Sequence, residues 1–239
     1  MNIALIFAGG VGSRMNSKAK PKQFLEIHGK PIIIQTIERF EQNSQIDAIA
    51  LVCNQDWLDY MNFLIKKNGL RKVRWVVSGG NTALESQYNG LRVIEKDIQE
   101  DAIVLIHDGV RPLIDDVTIS DCIESVRNFG SAVTTTVATE TIIRVDEHNK
   151  IISTTNRNEC RLARAPQCFW LKEIIAAHEQ AIKDGKHDFI DSTTMMRYYG
   201  KELYVVEGPS ENIKVTNPSD FYICRALLDA KENSQIFGL

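Results

Sequence analysis

Residues 2–15 read NIALIFAGGVGSRM, and this stretch decides the fold. Ile3–Ala8 is an apolar run of strand length with no polar alternation, as expected of a strand buried on both faces. It runs straight into Gly9, Gly10 and Gly12, and cations follow at Arg14 and at Lys22 in Pro21-Lys22-Gln23. In an open parallel sheet, ligands bind beyond the carboxyl ends of the strands. A glycine turn there lets backbone approach a ligand closely, and its N–H groups favour an anion.

Working outward, runs of the same kind recur at residues 46–53, 73–78, 102–107, 132–138 and 203–207. Helical stretches lie between them. Residues 56–67 place Trp57, Tyr60, Met61, Leu64 and Ile65 on one face, and 84–96 and 117–129 behave similarly. This alternation predicts an α/β fold with a mostly parallel central sheet flanked by helices, one domain over residues 1–239. Residues 139–169 break the rhythm. TIIRVDEHNKIISTT reads as two short β runs around a polar turn, which predicts an inserted, protruding β-hairpin arm. Its unpaired edges would suit a partner subunit. Asn217-Pro218 reads as a helix start, with Asn as the cap and Pro in the first helical position.

Composition narrows the function classes. The 239 residues are 44% hydrophobic with a net charge of -3. That is enough to bury a sizeable core, and it argues against a broad nucleic-acid surface, which would be basic. No apolar run is long enough to cross a membrane, and the amino-terminal residues lack the basic start and long apolar core of a signal peptide. Five scattered cysteines, none in a C-x-x-C pair, suggest reduced thiols in a cytoplasmic protein.

Three loop classes compete for the glycines. A dinucleotide fingerprint needs G-x-G-x-x-G, but Met15 occupies the third small position. A P-loop needs Gly-Lys-Ser/Thr, which is absent. A nucleotidyltransferase loop asks for both glycines and basic residues, and Arg14 and Lys22 supply the latter. With AGGVGSRM, PKQFLEIHGKPII, VSGGNTALES, HDGVRP, RAPQCF and EGPSENIKVT in this order, the chain resembles the cytidylyltransferases that activate ribitol phosphate or methylerythritol phosphate with CTP. The resemblance runs nearly end to end. It implies a Rossmann-like sheet, a β arm, homodimerisation through that arm, and attack of a sugar-alcohol phosphate on the α-phosphorus of CTP.

The resemblance also assigns roles. Arg14 and Lys22 match the cations that stabilise the transition state. Phe7, Ala8, Gly9, Gly10, Gly12, Gly79, Gly80, Asn81, Ser86 and Gly109 match the nucleotide site. Asp108, closing a buried strand, matches the Mg²⁺ contact, in keeping with a metal that takes one or two carboxylates plus phosphate oxygens. Arg111, Thr141, Arg157 and Lys214 match the acceptor site, with Arg157 and Lys214 also counted as catalytic; Thr141 and Arg157 reach the partner subunit's site. His107 reads as a packed histidine, since the attacking phosphate is already anionic. Ser13 and Ala83 depart from the family pattern, in which Arg is usual, and Arg161 and Arg164 are read equally well as solvated charges or as substrate contacts.

Ala-Gly-Gly at 8–10 resembles the ribitol-type members of the family, which implies ribitol 5-phosphate as acceptor ahead of 2-C-methyl-D-erythritol 4-phosphate. An NAD-dependent oxidoreductase would need an acidic residue closing the next strand, where Cys53-Asn54 stands. A nucleotide-binding module without catalysis would have lost one of Arg14, Lys22, Asp108 or Lys214, and all four are present.

Overall fold

The computed structural model describes residues 1–8 and 20–237, without the side chains of 234–237. Gly9, Gly10, Gly12, Ser13 and Arg14 therefore lie outside the described residues. A seven-stranded sheet is built from β1 (Asn2–Ala8), β4 (Ala48–Cys53), β5 (Val73–Ser78), β6 (Ile103–Asp108), β7 (Ser131–Val137), β10 (Arg161–Trp170) and β11 (Val205–Glu207). Its order is β11-β7-β10-β6-β1-β4-β5. All neighbours pair in parallel except β10, which is antiparallel to both β6 and β7.

The central strands β1, β4 and β6 are buried on both faces, which is why they lack alternation. Along β1, Ala4 and Ile6 face one apolar layer and Ile3 and Leu5 the other. The first layer is supplied by α1 (Ile32–Gln42), α2 (Leu58–Lys67) and α4 (Asp116–Phe129). The second comes from α3 (Ala83–Asp97), α5 (Leu171–Lys183) and α6 (Ser192–Tyr198). Gly90 marks how closely α3 lies on the sheet: a β-carbon there would sit 2.5 Å from Leu5 Cδ1 and 2.8 Å from Val52 Cγ2. A third cluster joins the hairpin of β2 (Glu26–Ile27) and β3 (Lys30–Pro31) to α7 (Pro218–Phe237), through Ile27, Ile32, Val215 and Leu228. As expected, Asn217 caps α7, its Oδ1 accepting from the Asp220 N–H. The Asp220 carboxylate in turn accepts from the N–H groups of Thr216 and Asn217, a reciprocal arrangement that satisfies orphan donors.

The expected arm divides in two. β8 (Ile142–Val145) and β9 (Ile151–Thr155) form a separate two-stranded sheet around a turn at Asp146–Lys150. Residues 167–170 instead belong to β10 inside the main sheet, where Cys168 and Phe169 are fully buried. The sequence hid this strand because Pro166 interrupts it. In the structure Pro166 sits in an irregularity of the β7–β10 ladder, between Ala163 and Gln167, where the pairing is interrupted.

Register brings the site together. Phe7 lies opposite Asp108, Ala8 opposite Cys53, and Cys53 opposite Ser78, so four strands end on one rim. Beyond β1 the connections turn from one side of the sheet to the other, the switch point at which α/β sheets take ligands.

Candidate active site

A cavity of about 540 Å³ opens at this rim. Its floor is Phe7 and Ala8 of β1. One wall is Gly80–Ala83 and Ser86 at the start of α3, and the far side carries Lys22, Gln23, Asp108 and Lys214. The α3 wall is held by local hydrogen bonds. Thr82 caps the helix by accepting from the Glu85 N–H, and Glu85 accepts from the Asn81 N–H. Ser86 Oγ accepts from the Gly80 N–H at 3.0 Å and donates to the Thr82 carbonyl at 2.8 Å. Ser86 thus shapes the loop by hydrogen bonds to backbone. The small size of Gly80 has a local cause, because a β-carbon would overlap the Glu85 side chain.

The charged side of the cavity is assembled from distant segments. Asp108 ends β6, and its Oδ2 accepts from Arg111 Nε at 2.7 Å, while Oδ1 accepts from Lys214 Nζ at 2.6 Å. Arg111 also donates through Nη1 to the Asn212 carbonyl, and Asn212 Nδ2 donates to the Ala165 carbonyl. The Val215 N–H donates to the Val110 carbonyl, which fixes the Lys214 segment against the turn after β6. Burial pushes the Asp108 carboxyl up, but Lys214 and Arg111 together outweigh it and hold it at about 2. Asp108 is therefore a stable anion at neutral pH. Gln23 is buried and donates to the Ala8 carbonyl, which ties the short 3-10 turn Lys22–Phe24 to the end of β1.

His107 is fully buried, packs edge-on against Phe40, and points Nε2 at the Arg111 carbonyl. Burial lowers its pKa to about 4, so it is neutral and structural, as expected from the sequence. Gly109 does not line the cavity. Its N–H donates to the Phe7 carbonyl, and a β-carbon would meet Ile33 Cδ1 at 2.5 Å. Gly79 lies beside Ser86, whose Oγ would be 2.9 Å from an added β-carbon.

Thr141 and Arg157 stand apart from the cavity. Both are exposed on the arm, and Arg157 donates to the Thr139 carbonyl within it. The cavity also brings in Gln23, Asn54, Thr82 and Val110, to which sequence reasoning assigned no role. Gln23 carried a signal in the Pro-Lys-Gln motif; Asn54 and Val110 carried none beyond following a buried strand. A second cavity of about 410 Å³ lies between α1 and α7. Within its lining Lys30 pairs with Glu38, and His28 contacts Asp229 of α7.

A carboxylate and three cations gather at the strand ends of an open α/β sheet, an arrangement suited to phosphoryl transfer on a nucleotide. The family model described as 2-C-methyl-D-erythritol 4-phosphate cytidylyltransferase (IspD) matches residues 2–230. The chain belongs to this cytidylyltransferase family and is a nucleotidyltransferase. It is 52% identical over 239 residues to a ribitol-5-phosphate cytidylyltransferase of Streptococcus agalactiae serotype V, covering 100% of both chains. It is 36% identical over 228 residues to a 2-C-methyl-D-erythritol 4-phosphate cytidylyltransferase of Clostridium botulinum strain 657, covering 95% of this chain and 97% of that one. The crystal structure of 4-diphosphocytidyl-2C-methyl-D-erythritol synthase from Anaerococcus prevotii superimposes with a TM-score of 0.83, at 27% identity and 95% coverage of both chains.

Proposed function

We propose that the chain transfers the cytidylyl group of CTP to a polyol phosphate, with ribitol 5-phosphate as the acceptor ahead of 2-C-methyl-D-erythritol 4-phosphate. The observation that carries the chemistry is the Asp108–Arg111–Lys214 cluster on the rim of the cavity that Lys22 also lines. The greater identity to a relative named for ribitol 5-phosphate favours that acceptor.

In the reaction, an oxygen of the acceptor phosphate attacks the α-phosphorus of CTP. The bond from that phosphorus to the β-phosphate's bridging oxygen breaks, and pyrophosphate leaves. No hydroxyl has to lose a proton, which suits a site whose buried histidine is neutral and internally bonded. Charge moves onto the nonbridging oxygens and the departing pyrophosphate, so fixed cations do the catalytic work. Lys22 faces the nucleotide, and Arg14 of the adjoining glycine stretch joins it in this reading. Lys214, 43% exposed in its side chain, is free to turn from Asp108 toward an incoming phosphate. Gly80, Asn81 and Ser86 would hold cytidine through backbone groups.

Among the described residues no three His, Cys, Asp or Glu side chains are grouped to hold a metal. Asp108 alone still fits Mg²⁺, because a carboxylate offers about four lone-pair directions and two are taken here. When bound, Mg²⁺ would neutralise phosphate charge and orient the triphosphate. The exposed apolar residues Ile143, Val145, Ile151 and Ile152 support the arm as a homodimer contact. Through such a contact Thr141 and Arg157 would reach the partner's acceptor site. No helix among the described residues is long and apolar enough to cross a membrane. The five free thiols fit a cytoplasmic enzyme.

The test is pyrophosphate release from CTP and Mg²⁺ with ribitol 5-phosphate and methylerythritol 4-phosphate in separate reactions. Release with ribitol 5-phosphate is expected. Release with methylerythritol 4-phosphate alone would overturn the acceptor assignment, and release with neither would overturn both.

A further inference from the structure

We infer that Arg164, at the root of the arm, is a binding residue for the phosphate of the acceptor, acting in the site of its own chain. The inference rests on the acceptor being a phosphate monoester, as proposed above, and names a residue that its chemistry uses.

The placement comes from the ladder. β10 runs antiparallel to β6 with Gln167 opposite Ile106. Continued along that register, the chain brings Ala165 opposite Asp108 at the carboxyl end of β6 and carries Arg164 past it. The irregularity between Ala163 and Gln167 frees Arg164, Ala165 and Pro166 from the β7 ladder. Such irregularities bend a strand and re-aim its side chains. Ala165 is fixed to the site by the hydrogen bond from Asn212 Nδ2, and the Asn212 carbonyl receives Arg111. One residue before Ala165 and two residues after Asn212 stand two cations, Arg164 and Lys214.

The charge balance then points to a missing anion. Arg111 and Lys214 share the single carboxylate of Asp108. Arg164 is half-buried, and among the described residues it has neither a carboxylate within ion-pair distance nor a hydrogen-bond acceptor. Burial, and then the like charge of Arg111, weaken its hold on its proton. Among the described residues this guanidinium lies in the field of the Arg111 charge with no acceptor of its own. It matches a phosphate dianion, which a planar guanidinium grips through two N–H groups. The nucleotide's triphosphate is a poorer match, because neither Arg111 nor Arg164 lines the nucleotide cavity, whose rim ends at Asp108 and Lys214. Arg164 lies beyond that rim, on the arm side, where the acceptor must enter.

The experiment compares the full-length protein with Arg164→Gln and Arg164→Lys. Steady-state pyrophosphate release is measured with ribitol 5-phosphate varied at saturating CTP, then with CTP varied. Arg164→Gln should raise the acceptor KM by about tenfold or more and leave the CTP KM within about twofold, with Lys restoring part of the loss. Its thermal midpoint should equal or exceed that of the parent, which a structural role would not allow. An unchanged acceptor KM would overturn the inference, as would a parallel rise in the CTP KM. Calorimetric titration with inorganic phosphate gives a readout independent of turnover, and Arg164→Gln should weaken binding by about tenfold. If the parent turns over neither acceptor yet binds phosphate through Arg164, the acceptor assignment fails and the anion site stands. If the parent turns over ribitol 5-phosphate and Arg164→Gln matches it in both assays, the inference fails and the function stands.

Discussion

Asp108→Asn removes the one anion that two cations share, and the size of its effect can be worked from the structure. The Asp108 side chain is 9% exposed and bonded to Arg111 and Lys214 at 2.7 and 2.6 Å. Burial alone would raise its pKa, yet the two cations bring it from 3.8 down to about 2. A gap of about 1.8 between unfolded and folded values corresponds to about 2.5 kcal/mol of folding free energy. Because the folded value is the lower one, this stabilisation is fully present above about pH 4. It disappears as pH falls through about 2, where the carboxyl is protonated in both states. Urea unfolding followed by circular dichroism should therefore place Asp108→Asn about 2.5 kcal/mol below the parent from pH 5 to 8. The gap should shrink to roughly half that near pH 3. In a chain of this size the loss corresponds to a fall of about 5–10 °C in midpoint. A gap under about 1 kcal/mol at pH 7, or one that stays constant down to pH 3, would refute the assignment of Asp108 as an anion stabilised by both cations.

Lys22→Ala should lower kcat by about a hundredfold or more with little change in thermal midpoint, because its charge acts on the transition state; near-parental turnover would remove it from the catalytic set. Gly90→Val should lower the unfolding free energy by about 1–3 kcal/mol, since even a β-carbon overlaps Leu5 and Val52; urea midpoints check this, with kcat in the surviving folded fraction unchanged. Ile151→Asp on the exposed face of the arm should shift sedimentation from dimer to monomer and lower turnover with it, because Thr141 and Arg157 would no longer reach a partner. A monomeric parent, or a dimeric variant, would remove the arm from the interface.

The sequence by itself determined the framework. Apolar runs of strand length without alternation, spaced by amphipathic stretches, are the pattern of strands in a helix-covered sheet, and six of the seven main-sheet strands were legible from it. So was the cap at Asn217 before α7, because a cap is a local hydrogen bond. Asp108 and Lys22 carried a local signal, a strand end followed by polar residues and a basic residue after a glycine turn, while Gly80, Asn81 and Ser86 were named through the family resemblance; each of them lines the cavity. Only the tertiary structure decided the rest. β10 looked like part of the arm because Pro166 interrupts it; its place between β6 and β7 depends on partners far away in the chain. Gly109 looked like a nucleotide contact, yet its smallness is set by Ile33 and the Phe7 carbonyl, which no local pattern reveals. Most of all, residues 108, 111, 165, 212 and 214 meet only because an antiparallel strand and a long return loop converge on the end of β6. A chain pattern can name a cation, but which anion neutralises it, and which cation is left over, is decided by distances of a few ångströms in the folded protein.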